Sequence, residues 1–320
     1  MKKIIFLLAT SFVVASCNNS KKESTTSADV ETVTITHLQG ETNVPLNPKR
    51  IVVLDFAALE NMDRIDANIV VMPKLAVPSN LKKYEKDENI VNVGSLVEVN
   101  METINELQPD LIIIGGRLAE SYNALSKIAP TIITTFDTAD QVGALQKDLQ
   151  NLGKIFDEED TYQKLFTELQ QKIDGAKQII QNSGEKALVV LHNRGRFSAY
   201  GSGSRFGLIH DVLGVKEAAQ GLDSHLHGTR ASSEFIKETN PDILFVVDRS
   251  AAIGEQALER KDVENELIQR TEAFKNEKIV YLNSEAWYLS GTGGITSINL
   301  MVDEIQGVFQ EENSISETVE

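Results

Sequence analysis

Apolar residues in this chain come in short unalternating runs, separated by stretches with helical spacing. Val, Ile and Leu dominate residues 51–54, 69–72, 111–114, 131–134, 187–191, 243–247 and 279–282, and each run is predicted as a strand. Runs without polar alternation suit parallel strands covered by helices on both faces. The pattern therefore predicts an α/β fold built from βαβ connections. A different period holds over residues 157–183. There Tyr162, Leu165, Phe166, Leu169, Ile173, Ala176, Ile179 and Ile180 fall at steps of one, three and four, a single apolar stripe on a helix. Asp157, Glu158 and Glu159 put negative charge at its start, and Gly184 ends it. About 27 residues at about 1.5 Å each make a rod of about 40 Å.

Residues 102–117 align without gaps to residues 234–249, an offset of 132 at both ends (234 − 102 and 249 − 117). Glu102, Ile104, Glu106, Pro109, Asp110 and Arg117 are matched by Glu234, Ile236, Glu238, Pro241, Asp242 and Arg249. Each copy reads as a short helix, a Pro-Asp turn, a buried strand and a loop opening on arginine. Helix, Pro-Asp and strand is also common punctuation in α/β chains. A duplicated unit on either side of a long helix nevertheless predicts two lobes of similar build. The expected architecture is two Rossmann-like lobes with parallel sheets, joined by one long backbone helix, with the ligand cleft between them. A single stiff rod between lobes restricts hinge closure.

The N-terminus changes the picture of where the chain works. Lys2 and Lys3 precede an apolar run from Ile4 to Val14, too short to span a bilayer as a mature helix, so it reads as a cleaved signal. Val14-Ala15-Ser16-Cys17 fits a lipobox, so Cys17 is expected to be fatty-acylated; an ordinary secretory signal with an incidental cysteine is the alternative. Cys17 is the single cysteine, which excludes disulfides and cysteine-based zinc sites. The polar run after it has no apolar periodicity and reads as a tether. The expected division is 1–16 signal, 17–31 lipidated cysteine and tether, 32–156 first lobe, 157–183 connecting helix, 184–310 second lobe and 311–320 acidic, frayed tail. The location implied is the extracytoplasmic face of the cell membrane, held by the lipid alone.

Charge narrows the partners. Lys+Arg number 31 against 47 Asp+Glu, a net charge of −16, which argues against nucleic acid and against a basic membrane-binding face. An acidic protein that binds an anion must concentrate its cations locally. Arg117 and Arg249 fall at equivalent positions just past the carboxyl ends of buried strands, the edge at which open α/β sheets bind ligands. Taken singly, an arginine opening a loop as readily makes a surface ion pair. Gly291-Thr-Gly-Gly294 lacks the lysine and preceding strand of a phosphate loop, and Gly201-Ser-Gly-Ser204 is not a nucleophile elbow.

Several further stretches carry a family likeness: Asn92-Val-Gly-Ser95 leading to the first repeat copy, Leu152-Gly153, and Ser204-Arg-Phe-Gly-Leu-Ile-His-Asp-Val-Leu-Gly214. His227-Gly228, Ser233-Glu-Phe235, Val246-Val-Asp-Arg249 and Trp287-Tyr288 complete the set. On these the chain resembles, over roughly residues 32–310, the iron-siderophore substrate-binding lipoproteins of bacterial ABC importers. These are periplasmic binding proteins of the helical-backbone class, with two lobes and one connecting helix. The second-lobe set is most similar to the catecholate subgroup, petrobactin binders among them. The resemblance implies a monomeric, non-enzymatic protein without a cofactor, which captures a ferric catecholate siderophore and passes it to the permease.

The resemblance also implies roles. Arg205 matches the family's third cleft arginine beside Arg117 and Arg249, and planar guanidinium forks suit the oxygens of an anionic catecholate complex. His227 and Tyr288 match residues that ligate the iron directly. Ferric iron is a hard acid that favours phenolate and accepts imidazole, and a four-donor siderophore leaves two octahedral positions for such a pair. His225 competes with His227 for the role. Taken without the resemblance, a loop histidine and a tyrosine beside tryptophan are more often ordinary surface and core residues. Glu102 and Glu234 match glutamates that pair with permease arginines; compensation of a helix N-terminus is the plainer account of each. The alternative ligands are haem and a corrinoid, which want a buried axial His or Met and an apolar slot. An extracytoplasmic hydrolase would need a nucleophile, base and orienting group, and no such set is evident.

Overall fold

A left-handed residue, a half-buried aspartate and a buried apolar strand recur in this fold at equivalent places, and they explain its layout. The computed structural model describes residues 31–316 apart from His225. The expected signal, Cys17, the tether up to residue 30, the competing role of His225 and the last four residues lie outside the described residues. A hairpin comes first, β1 (Thr32–His37) and β2 (Gly40–Pro45), paired antiparallel. It was not expected, although Val33 and Ile35 alternate with threonine ahead of Gly40.

β3 (Ile51–Leu54) is buried at all four positions. β4 (Ile69–Met72), β5 (Val91–Asn92), β6 (Leu111–Ile114) and β7 (Thr131–Ile133) complete a sheet in the order β5-β4-β3-β6-β7, parallel at every pairing. α1 (Phe56–Asp63) follows β3 at once, capped by Asp55, whose carboxylate accepts from the Ala58 N–H at 2.9 Å. The second sheet holds β8 (Lys186–Asn193), β9 (Arg196–Tyr200), β10 (Lys216–Glu217), β11 (Thr229–Ala231), β12 (Ile243–Asp248) and β13 (Ile279–Tyr281). Its order is β11-β9-β8-β12-β13, with β10 on β8.

β8, β12 and β13 pair parallel, as expected, but β9 and β11 are antiparallel, so this sheet is mixed. The cause is local. Arg194 (φ +50°) and Gly195 (φ +78°) make a two-residue turn that folds β8 straight back on itself. A parallel return would need a crossover of a dozen or more residues.

α2 (Met101–Glu106) leads into β6. α3 (Gln141–Phe156) and α4 (Glu159–Ile180) follow, and α4 is the connecting rod. It is shorter than the expected span. Asp157 adopts left-handed backbone (φ +58°) to cap α3, so α4 starts two residues later and its 22 residues reach about 33 Å. The apolar stripe is as predicted: Tyr162, Leu169, Ile173, Ala176 and Ile180 are buried, and Leu165, Phe166 and Ile179 pack against the same core. α5 (Ser233–Thr239) leads into β12, and α6 (Ile295–Ser316) closes the fold, running through residues that their charge assigned to a tail.

The repeat is physical as well as textual. Asp110 accepts from the backbone N–H groups of Lys49 (2.8 Å) and Arg50 (2.9 Å) just before β3, and Asp242 from that of Lys186 (2.9 Å) opening β8. In each copy the acid after proline pins the start of the neighbouring parallel strand. Asn100 and Ser232 cap α2 and α5, and Gln108 (φ +44°) and Asn240 (φ +46°) take left-handed backbone before the proline. One core cluster joins Ile51 and Val53, the α4 stripe, Val189, Phe245 and Trp287. The other strand faces carry separate clusters, around Val52 and Ile112 and around Leu188 and Leu244.

The two sheets are also tied away from α4. Asn61 of α1 donates to the Gly293 carbonyl and accepts from the Ile295 N–H, both at 2.8 Å. Its neighbour Glu60 accepts from the N–H (2.9 Å) and hydroxyl (2.6 Å) of Ser297. These buried bonds fix the start of α6 against the first sheet.

Candidate ligand-binding site

Tyr288 lies in a π-helical turn, Ala286–Ser290, that follows β13. Such turns insert an extra residue into the helical ladder and are frequent at functional sites. The turn is held from behind. The buried Trp287 indole donates to Glu304 at 2.7 Å, and the same carboxylate accepts from the Asn283 N–H at 2.8 Å. Gly291 admits the turn, because a Cβ there would come within 2.5 Å of the Ala286 carbonyl and 2.6 Å of the Met301 sulfur.

Three guanidiniums converge on this one residue. Arg117 Nη2 and Arg205 Nη2 both donate to the Tyr288 carbonyl, at 2.8 and 3.0 Å, and Arg249 Nε donates to its hydroxyl at 3.0 Å. The Arg205 guanidinium carbon is 4.5 Å from the Tyr288 ring centre, and those of Arg117 and Arg249 are each 5.7 Å away. Arg117 comes from the loop after β6, and Arg249 directly follows β12, so the two repeat-equivalent cations meet across the sheets. Arg205, from the loop after β9, also lies 5.1 Å from the ring of Phe206. Among the described residues none of the three makes an ion pair with a carboxylate.

Three like charges around one neutral residue are unfavourable to each other. Arg205 feels this directly: its pKa is lowered by burial and then by the Arg117 charge, and its Nε is buried without a hydrogen-bond partner. The arrangement is one that an anion would relieve. It can also stack on an aromatic ligand, because a guanidinium plane covers a ring as it covers Tyr288.

Two buried acids, Asp55 beside Arg117 and Asp148 within electrostatic reach of Asp55, were not anticipated. Asp55, buried at the end of β3, has its pKa raised by burial, with the Arg117 charge acting in the opposite sense. Gly115 leaves room for it, since a Cβ there would sit 2.1 Å from Asp55 Oδ2. Asp148 on α3 accepts the Thr135 N–H with both oxygens (3.1 and 2.8 Å), and burial raises its pKa to about 8, with a further push from Asp55. The available signal was an acidic residue at a strand end or on the apolar face of a helix, which is ambiguous without the fold.

The remaining predicted residues make no hydrogen bond or ion pair with the cluster. His227 is exposed in the turn before β11 and makes no hydrogen bond or ion pair with the described residues. Glu102 and Glu234 are exposed in the first turns of α2 and α5. Among the described residues no group of three or more His, Cys, Asp or Glu could hold a metal ion. His227 and Tyr288 would supply two donors at most, to a metal that brings its own chelator. No described helix is long and apolar enough to cross a membrane.

The model of a family described as periplasmic binding protein matches residues 51–286. The petrobactin-binding protein YclQ of Bacillus subtilis is 40% identical over 96% of this chain and 98% of its own length. Its crystal structure superposes with a TM-score of 0.83, over 87% of this chain and 99% of that one. The ferric-anguibactin-binding protein FatB of Vibrio anguillarum is 36% identical over 87% of this chain and 88% of its own. The periplasmic catecholate-siderophore binding protein VctP of Vibrio cholerae, 33% identical, gives a TM-score of 0.82 over 87% of this chain and all of that one.

Proposed function

From the premise that this chain belongs to the periplasmic binding protein family, we propose that it captures a ferric siderophore for an ABC importer, the ligand being of catecholate type. The observation that carries the reading is the convergence of Arg117, Arg205 and Arg249, none of them in an ion pair with a carboxylate among the described residues, on Tyr288 in a chain of net charge −16. Ligand oxygens would take the N–H bonds now accepted by the Tyr288 carbonyl and hydroxyl. Catecholate rings would lie against the guanidinium planes. The mutually repelling charges then favour the anion, and each charge-assisted bond contributes about 1.5–3 kcal/mol.

In this reading His227 and Tyr288 complete the iron's coordination when the siderophore supplies four donors. The protein is a carrier and performs no chemistry on its cargo. It works as a monomer in two lobes, 32–156 and 184–310, joined by α4 within the 157–183 segment. Cys17 anchors it on the extracytoplasmic face of the membrane, and Glu102 and Glu234 meet the permease. The mass of the mature N-terminal peptide checks the anchor.

A fluorescence titration against ferric catecholate, ferric hydroxamate, haem and a corrinoid tests the ligand class. Trp287 is the single tryptophan and adjoins Tyr288, so a bound iron chromophore quenches it. The ferric catecholate should bind at least about a hundredfold more tightly than haem or the corrinoid, a difference of about 2.8 kcal/mol. Equal or tighter binding of either macrocycle would overturn the reading.

A further inference from the structure

We propose that Gly228 is a positioning residue for His227, and that it thereby sets a preference for four-donor over six-donor siderophores. The inference rests on the reading above, that His227 binds the iron.

His227 has no side-chain partner of its own among the described residues, so its place is inherited from the backbone that follows. That backbone is held closely. β11 pairs with β9 as Thr229 to Ala199, Arg230 to Ser198 and Ala231 to Phe197, which carries Gly228 over Tyr200. Gly228 has φ +64°, and a Cβ there would come within 2.6 Å of the Ala199 carbonyl and 2.8 Å of the Tyr200 ring. Neither can give way. Ala199 is in the middle of the β9 pairing, and the Tyr200 ring is 1% exposed. Tyr200 packs edge-on to Phe206 at 4.7 Å, and Phe206 packs on Trp287 at 6.1 Å. Any side chain at position 228 must therefore move its own strand end outward, taking His227 with it.

The same ring is common to both parts of the site. Tyr200 lies within electrostatic reach of Arg205 and Tyr288, and Trp287, at the end of the aromatic stack, is the residue before Tyr288. Gly228 thus seats the His227 turn on the aromatic block that also supports the arginine cluster. A second tie acts from the other side of the turn, where Thr229 Oγ1 accepts from the Asp223 N–H at 2.7 Å. A six-donor siderophore saturates the metal and has no need of His227. Displacing the turn should therefore cost affinity only where the metal has open positions.

The test compares wild type, Gly228→Ala, Thr229→Val and His227→Ala, titrated with the ferric complexes of a tetradentate bis-catecholate and a hexadentate tris-catecholate. Gly228→Ala should lose about tenfold or more for the tetradentate complex, about 1.4 kcal/mol, and less than about twofold for the hexadentate one. Its charge-transfer band should move toward that of the aquated complex, as in His227→Ala. Thr229→Val, which keeps a β-branched strand residue and removes only the side-chain tie, should shift selectivity the same way by about threefold. Equal losses for both ligands in the two loop variants, or none in either while His227→Ala is selective, would overturn the positioning role. If His227→Ala itself is unselective, direct ligation fails and the inference fails with it, a distinguishable result.

Discussion

At Asp148 a single carboxyl group makes the pH response of the first lobe predictable. Its pKa rises from an ordinary 3.8 to about 8, chiefly through burial, so the folded protein binds this proton more tightly than the unfolded chain. The stabilisation is complete below about pH 4 and is lost as pH rises through 8. Asp148→Asn keeps an acceptor for the Thr135 N–H and removes the titration. Denaturant unfolding at pH 5 and pH 8 should show a smaller loss of stability across that interval in the variant than in wild type. Parallel pH profiles would mean that Asp148 titrates as an exposed carboxyl does. Residues differed in how far the sequence revealed them. Arg117 and Arg249 were marked by the repeat, whereas Arg205 and Tyr288 had only a family likeness to single them out. The backbone carbonyl of Tyr288, which receives two of the three guanidiniums, has no residue-type signal at all.

At the scale of elements, the equivalence of α2 and α5 extends from cap to exit turn. That likeness supports a paired role for Glu102 and Glu234, which stand exposed in the first turns of these helices. Replacing both with alanine should abolish iron uptake in cells while leaving ligand affinity in solution unchanged. A fall in affinity would assign them to the binding site instead. All seven aliphatic runs became strands, because a buried parallel strand needs little more than β-branched bulk. β9 and β11 were not foreseen. Arg-Gly is a weak hairpin signal beside Asn-Gly, and β11 at 229–231 is short and polar. The boundary after Phe156 was placed where the structure has it, but the role of Asp157 was hidden: this left-handed residue caps α3, and aspartate is also a good helix-starting residue.

The whole molecule is tied more firmly than one helix implies. Besides α4, the Glu60 and Asn61 bonds to α6 cross between the sheets, Gln141 donates to the carbonyls of Ser204 and Arg205, and Ser79 donates to Glu285. Opening would break several buried hydrogen bonds together, each expensive to leave unmade. Solution scattering profiles with and without ligand should therefore nearly superimpose. A marked compaction on binding would contradict the tied architecture. The two-lobe plan was legible because duplication and a long apolar stripe survive in sequence. The lateral ties were not, since Asn61 and Ile295 are 234 positions apart and polar residues carry no periodic signature.

The central claim is that three arginines around Tyr288 hold a ferric catecholate. Circular dichroism at the catecholate-to-iron charge-transfer band tests it most directly, because a free labile complex has no fixed handedness and a bound one takes that of its site. Addition of a ferric bis-catecholate to wild type should induce a signal of one sign that saturates at one complex per protein. In Arg117→Ala, Arg205→Ala and Arg249→Ala the saturation point should move to about ten- to a hundredfold higher concentration. No induced signal in wild type, or an unchanged titration in all three variants, would contradict the account.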